Sequence, residues 1–406
     1  MKSMIQFKSH ISSLLSDIIR GKFSRKVNLH VLKSSDVKGR SQTIVWQCLS
    51  VFATIAIFCN CFLCSCSDND ETNNLPALKD KNDVCSSMVC DAFKKYCYNN
   101  FDADHNGKIS QAEADAVEAM DIQGTQLPIY DLTGIEYFHN VKEIQIKSDA
   151  TQPLYVPATS SELALTLNIP NMNRLDITKS YNLVSLNMLC NLSALDVSGN
   201  KKLSKLYVCS GIDTIDLHDN TALTDLYLGC PNLSALDVSS NTELKSLTLI
   251  PCKVANVDLS NNSQLRHLDI SDINFTKPLN LSANSQLTFL KMKKCSNLGD
   301  MDLSKNTQLD TLNFTGNNIA KLDLSHNNKL RSLHVDTSDL MTVNAAQCRN
   351  ISEISYWPGK PSQLKIYLPS TLLNVNWYET GCLLTTKGTS STEETKLQRM
   401  DWMIFE

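Results

Sequence analysis

Between residues 163 and 350 the apolar positions of the chain fall into a phrase that keeps returning. Leu244, Leu247 and Leu249 are followed by Cys252 and Val254, then by Val257 and Leu259, and then by Asn262. The phrase restarts at Leu203, Leu223, Leu244, Leu265, Leu287, Leu309 and Leu330, every 20 to 22 residues. In Leu247-Thr248-Leu249 two leucines flank one outward residue, a period of two, which predicts a strand. One coil cannot bury its leucines alone, so the coils stack into a parallel β ladder with a continuous leucine column. A unit this short leaves little room for a helix on the return side. The second phrase, Val257-Asp258-Leu259, also alternates, and a short extended segment is expected there.

Two polar columns accompany the leucines. Asn200, Asn220, Asn241, Asn262, Asn284, Asn306 and Asn327 recur in one turn slot, where an amide can satisfy buried backbone groups coil after coil. Asp196, Asp216, Asp237, Asp258, Asp302 and Asp323 recur in another, with Asn280 interrupting. Strand neighbours sit about 4.8 Å apart, so this acidic column needs donors or cations. Either each Asp accepts hydrogen bonds from its own turn, helped by Ser198, Ser239, Ser260, Ser282, Ser304 and Ser325, or the column is a calcium ladder.

The pattern differs ahead of the repeats. Val84, Met88, Val89, Ala92, Phe93, Tyr96 and Cys97 recur at helical spacing, and so do Ala112, Ala116, Val117 and Met120. Between them lies FDADHNGKISQAE. Its spacing, D-x-D-x-N-G-x5-E, is that of an EF-hand calcium loop. The ligands would be Asp102, Asp104, Asn106, the Lys108 carbonyl, Ser110 and Glu113. Gly107 makes the turn and Ile109 packs beneath it. The other reading is a metal-free polar turn between two helices. No second loop is present, so a structural Ca2+ is expected rather than a sensor.

Residues 44 to 65 are uncharged and mostly apolar, preceded by Lys38 and Arg40. They read as the core of a signal peptide, although the run is long enough to span a membrane. Leu63-Cys64-Ser65-Cys66 resembles the lipobox of bacterial lipoproteins, which implies acylation of Cys66. A plain anchor or soluble secretion is the alternative. The acidic stretch after Cys66 resembles the export signal of lipoproteins sent to the outer face of some Gram-negative outer membranes. Residues 1 to 36 read as a start placed too far upstream, with Val37 a plausible initiator, or as a cytoplasmic extension.

The chain carries a net charge of −4, but its first 65 residues hold nine Lys or Arg against two Asp or Glu. The remainder has 29 basic and 40 acidic residues, a net of −11. That balance argues against a nucleic-acid partner. Cys190, Cys209, Cys230, Cys252 and Cys295 fall at repeat positions and read as small buried residues. After residue 66 there is no CxxC pair and no zinc spacing. G-x-S-x-G, H-E-x-x-H and a phosphate loop are also absent, and His267 and His334 read as solvated residues, so no enzyme is expected.

The repeats resemble the leucine-rich repeat family over about half of the chain. Leu132-Thr133-Gly134-Ile135-Glu136-Tyr137-Phe138 resembles the opening coil of internalin-type bacterial members. The resemblance implies an α+β chain in five parts. Residues 1–65 are extension and signal peptide, 66–82 a polar tether, and 83–130 an EF-hand helix pair capping the solenoid. Residues 131–350 form a right-handed leucine-rich repeat solenoid and 351–406 a mainly β C-terminal cap bearing Trp357, Trp377 and Trp402. An independent sugar-binding module is the alternative for the last part.

Ligands of this family usually meet the concave sheet. Its outward slots read Asn187, Tyr207, Tyr227, Thr248, Asp269, Lys291, Asn313 and His334. Tyr207 and Tyr227, beside Lys205 and Asp225, form a mixed aromatic and charged patch of the kind found at binding hot spots; alternatively the tyrosines only pack on each other. Lys205, Tyr207, Asp225, Tyr227, Thr248 and Asp269 are the candidate ligand residues. The expectation is an outer-membrane, lipid-anchored protein that binds an extracellular protein or mediates adhesion. The alternative is a glycan-binding accessory lipoprotein of a surface uptake system.

Overall fold

The computed structural model describes residues 75, 77–123, 128–299, 301–336 and 340–356, with four further strands between 365 and 405. The apolar run at 44 to 65, Cys66 and the acidic stretch after it lie outside the described residues. So do the side chains of Trp357, Trp377 and Trp402.

Helices α1 (Asp91–Phe101) and α2 (Gln111–Asp115) open the described chain. A fourteen-stranded sheet follows. In spatial order its strands are β1 (Ala119–Gln123), β2 (Glu143–Lys147), β4 (Leu163–Ile169), β6 (Leu183–Cys190), β7 (Lys205–Cys209), β8 (Asp225–Gly229) and β9 (Ser246–Leu249), then β10 (His267–Ser271), β11 (Phe289–Lys293), β12 (Thr311–Thr315), β14 (Ser332–Asp336), β16 (Glu353–Tyr356), β18 (Asn376–Glu379) and β19 (Cys382–Thr385). Every pairing is parallel except the last, where β19 turns back antiparallel on β18.

The ladder puts like against like. Leu206, Leu226, Leu247, Leu268, Leu290, Leu312 and Leu333 are register partners in succession. All are at most 1% exposed. A second column runs from Val208 and Leu228 through Leu249, Ile270 and Met292 to Phe314 and Val335. This is the stacked core expected of a repeat that cannot close on itself.

The ladder is longer than the repeat phrase. It begins at β1, ahead of the expected boundary at residue 131, and β16 and β18 extend it past residue 350. The return side is less regular than the alternation predicted. Among the described residues, strands form there only near the two ends. One pair is β3 (Leu154–Tyr155) with β5 (Leu175–Asp176); the other group is β13 (Lys321–Asp323), β15 (Thr342–Asn344), β17 (Lys365–Leu368) and β20 (Met403–Phe405). In the middle coils single backbone bonds, such as Ser234 N–H to the Asp213 carbonyl at 3.1 Å, take the place of a ladder.

The asparagine column is buried and works backwards along the array. The Nδ2 of Asn262 donates to the carbonyls of Val238 (3.0 Å) and Asn241 (2.9 Å) in the preceding coil. The other six repeat that pattern, and all seven are 0% exposed. Two further residues occupy the same slot. Ser180 Oγ donates to the Val156 carbonyl at 2.6 Å, and Cys348 Sγ to that of Leu324 at 3.3 Å. Each of the seven amides also encloses its Oδ1 without a partner, so the column's net contribution is less than two full hydrogen bonds per coil.

The acidic column is exposed and serves its own turns. Oδ1 of Asp196, Asp237, Asp258, Asp302 and Asp323 each accepts the N–H of the serine two residues on, at 2.9 to 3.0 Å. Asn280 does the same for Ser282, which explains why it can interrupt the series. The Ser239 hydroxyl and N–H hold Asp237 below the usual carboxylate range, and the Ser260 and Ser304 turns do so for Asp258 and Asp302. The column thus serves its own turns, the first of the two readings, and among the described residues no acidic cluster in it converges on a common point.

Four of the five repeat cysteines are packing residues as expected; Cys209, in the outward register of β7, is only half-buried. Cys190, Cys230, Cys252 and Cys295 are buried. Burial pushes the thiols of Cys190, Cys230 and Cys295 up to about 11, which keeps them protonated. Cys230 and Cys295 then donate to the carbonyls of Val208 and Ile270, each at 3.6 Å.

Candidate functional site

Two surfaces carry the candidate chemistry. The first is the loop between α1 and α2. Helix α1 ends at Phe101, and Asp102 stands at its C-cap. His105 and Gly107 adopt φ of 59° and 78°, the left-handed region in which glycine alone is unstrained. The resulting turn folds the carboxylates inward. Ligand oxygens of Asp102, Asp104 and Glu113 lie within 4.8 Å of one another. Loop N–H groups support them: Gly107 donates to Asp102 Oδ2 at 2.9 Å and Asn106 to Asp104 Oδ1 at 3.1 Å.

Glu113 is fixed twice. Its own N–H donates to Ser110 Oγ, which caps α2, and its Oε2 accepts the Ser110 N–H at 2.8 Å. The Ser110 N–H and hydroxyl hold its carboxyl below the usual range. The Asn106 side chain lies alongside, its Nδ2 donating to Asp104 Oδ2 at 2.7 Å and its Oδ1 accepting the Lys108 N–H at 2.8 Å. Lys108 points its ammonium at Asp80 instead, at 2.9 Å. Three carboxylates so close repel one another, and this nearby lysine does not offset them. An all-oxygen donor set of this kind suits a hard divalent cation.

The helices around the loop are shorter than the periodicity predicted. Helix α1 starts at Asp91, so Val84, Met88 and Val89 precede it. Helix α2 ends at Asp115, and Met120 lies in β1, paired with Ile144. Burial alternates along β1 because it already faces the leucine core. The segment before α1 braces the loop. Asp83 Oδ1 accepts the Ile109 N–H at 3.2 Å, and Val84 N–H donates to the Ile109 carbonyl at 2.9 Å. Asp83 Oδ2 accepts the Tyr98 hydroxyl at 2.5 Å. Downstream, Gln111 Nε2 donates to the Tyr137 carbonyl and Asn140 Nδ2 to that of Asp115, which ties the loop to the first coil.

The second surface is the outward face of the large sheet. The structure brings Tyr207 and Tyr227 together as register partners, ring centroids 6.3 Å apart and tilted by 33°. Lys205 and Asp225 are also partners, one slot away. Thr248 and Asp269 continue the tyrosine row. Asp269 is held by Lys291 Nζ at 2.8 Å, with its side chain only 13% exposed. Burial raises the hydroxyls of both tyrosines above their ordinary value.

The expectation that His267 is a solvated residue is not met: it is half-buried and stacks on Phe289 at 4.2 Å, with ring planes within 4°. They occupy the other outward slot of their strands, two residues before Asp269 and Lys291. Reading both outward slots, rather than the central one, would have found them. Burial lowers the affinity of His267 for a proton. A depression of about 840 Å³ lies at the strand ends beside Gln123, Lys147 and Asn168. Among the described residues, its charged lining groups are Lys147 and Asp149.

No family model matches the sequence, and no curated protein matches it. Solved structures do match. The functional domain of InlJ from Listeria monocytogenes, which includes a cysteine ladder, is 26% identical, with a TM-score of 0.53 over 70% of this chain and 62% of that one. The chain therefore spans less than two thirds of the InlJ domain. The internalin inlF from the same organism is 17% identical over 67% of this chain and 90% of that one, with a TM-score of 0.45. A leucine-rich repeat protein of Leptospira interrogans is 15% identical over 73% and 97%, with a TM-score of 0.44. Together with the parallel coils and their leucine and asparagine columns, the InlJ likeness supports a solenoid of the leucine-rich repeat kind.

Proposed function

We propose that this chain is a surface-displayed binding protein whose outward sheet face, centred on Tyr207 and Tyr227, engages an extracellular protein. The observation that carries this reading is the concentration of aromatic pairs among charged neighbours on one open face, the make-up of interface hot spots. The deciding experiment is affinity capture from host or neighbouring-cell extracts with the full-length chain, followed by quantitative binding of the captured partner to the Tyr207→Ser/Tyr227→Ser double variant. Both rings point away from the leucine core, so their loss leaves the fold intact. Each should contribute about 1 to 2 kcal/mol of affinity or more. Unaltered binding of the double variant would move the site elsewhere, with residues 351 to 406 next in line.

A glycan ligand is the second reading, since His267 and Phe289 add a second aromatic pair to this face, in the row beside that of the two tyrosines. A glycan array probed with the same two proteins separates it from the first.

The loop at Asp102 to Glu113 fits one Ca2+, held by Asp102, Asp104, Asn106, the Lys108 carbonyl, Ser110 and Glu113. Its role would be structural, pinning the helices that lead into β1. Calcium that binds the folded state alone stabilises it by about 2.7 kcal/mol at a hundredfold excess over Kd. Chelator should therefore lower the melting temperature of the wild type, and Glu113→Ala should erase the difference. A wild type that melts identically with and without chelator would leave the loop a metal-free turn.

Display at the surface rests on the lipobox. Cys66→Ala should yield an unprocessed precursor that incorporates no labelled fatty acid. Labelling at the wild-type level would rule out acylation at this cysteine.

A further inference from the structure

Strand β9 is a low step in the outward face. Its outward side chains, Ser246 and Thr248, are short, whereas its neighbours carry Asp225 and Tyr227 on β8 and His267 and Asp269 on β10. The register sets these groups opposite one another. Asp225, Ser246 and His267 share one row, and Tyr227, Thr248 and Asp269 share the next. Two ladder steps separate β8 from β10, about 9 to 10 Å. A slot one side chain wide thus runs over β9, floored by hydroxyls and walled on each side by one carboxylate and one ring.

Its lining is uniformly electron-rich. Carboxylates, hydroxyl oxygens and the face of Tyr227 all attract a cation. The ammonium of Lys291 approaches Asp269 from β11, on the far side of that wall. His267 is backed by Phe289, which fixes its ring as a wall.

We propose that the slot over β9 receives the cationic side chain, arginine in preference to lysine, of an extended segment of the protein partner. The proposal rests on the reading of this face as the binding surface. A guanidinium is planar, weakly hydrated and carries five donors. It can stack on Tyr227 while donating to Asp225 and Asp269. A neutral sugar would leave Asp225 without an opposite charge and Asp269 with Lys291 alone, on the far side of its wall, and an acidic segment would be repelled.

The test uses the full-length chain over sensor surfaces bearing blocked Gly/Ser peptides with one central arginine, lysine, citrulline or leucine. At about 0.15 M ionic strength, where longer-range attraction is screened, the arginine peptide should retain the chain about fivefold or more above the citrulline peptide, as a cation–π contact with charge-assisted bonds requires. Thr248→Arg plants a guanidinium on the floor and should reduce retention to the citrulline level. Asp225→Asn/Asp269→Asn should do the same without adding bulk. Equal retention of arginine and citrulline peptides overturns the proposal, as does full retention by either variant. If a captured partner is lost by the double tyrosine variant but held by Thr248→Arg, the face stands and the slot falls. If neither variant disturbs that partner, the face itself is wrong. Retention of neutral oligosaccharides that Thr248→Arg displaces, with no arginine preference, assigns the slot to a glycan instead.

Discussion

Leu226→Ala is expected to destabilise the solenoid by about 2 to 5 kcal/mol, the range for a leucine truncated in a packed core. Leu226 is 1% exposed and sits between Leu206 and Leu247 in the column. Its removal opens a cavity against both flanking coils. Because coils are stabilised through their nearest neighbours, neither side can collapse inward without disturbing the next coil. Urea denaturation should show a lower midpoint. The adjacent Tyr227 is the control: it faces outward, so its replacement should change binding and leave the midpoint nearly in place. A shift of less than about 1 kcal/mol in Leu226→Ala would mean that the column is looser than its burial indicates.

Asn262→Leu should also destabilise, by about 1 to 3 kcal/mol, for a different reason. The substitution keeps the branched shape of the side chain but removes both donors. The carbonyls of Val238 and Asn241 each lose one of two hydrogen bonds and keep the turn N–H of Asn241 and Leu244, at about 0.5 to 1.5 kcal/mol for each bond lost. The enclosed Oδ1 disappears as well, which offsets part of the loss. Amide hydrogen exchange offers the sharper measurement. Protection should fall in the coil before the substitution, around residues 238 to 247, because the bonds reach backwards. A loss confined to the following coil would contradict the geometry.

The leucine, asparagine and aspartate columns were legible in the sequence because each repeat writes them in the same slot. What was missed lies where the writing changes. Ser180 and Cys348 continue the asparagine column with other donors, and a search for asparagine passes over them. Met120 sits four residues beyond Ala116, a helical interval, yet it lies in β1, where pairing with β2 settles its conformation. Val84 and Met88 look like the first turns of a helix, but Asp83 accepts the Ile109 N–H and so turns that segment into a brace. His267 and Phe289 were hidden for another reason. Their stacking depends on strand register, which a single phrase does not display. The loop ligands were legible individually, but the convergence of Asp102, Asp104 and Glu113 appears only once Gly107 has made its turn.

The backward reach of each asparagine gives the array a plug and a socket. Every coil from Asn200 to Asn327 presents an amide to the coil before it and two carbonyls to the coil after it. An added copy of the unit would arrive with both fittings in place, and a deleted copy would remove both. Insertion of part of a unit would leave a socket empty and turn the leucines out of line. The chain can therefore grow or shrink by whole coils through duplication and recombination. The span of its outward face is open to evolutionary change in steps of one strand, without any redesign of the core.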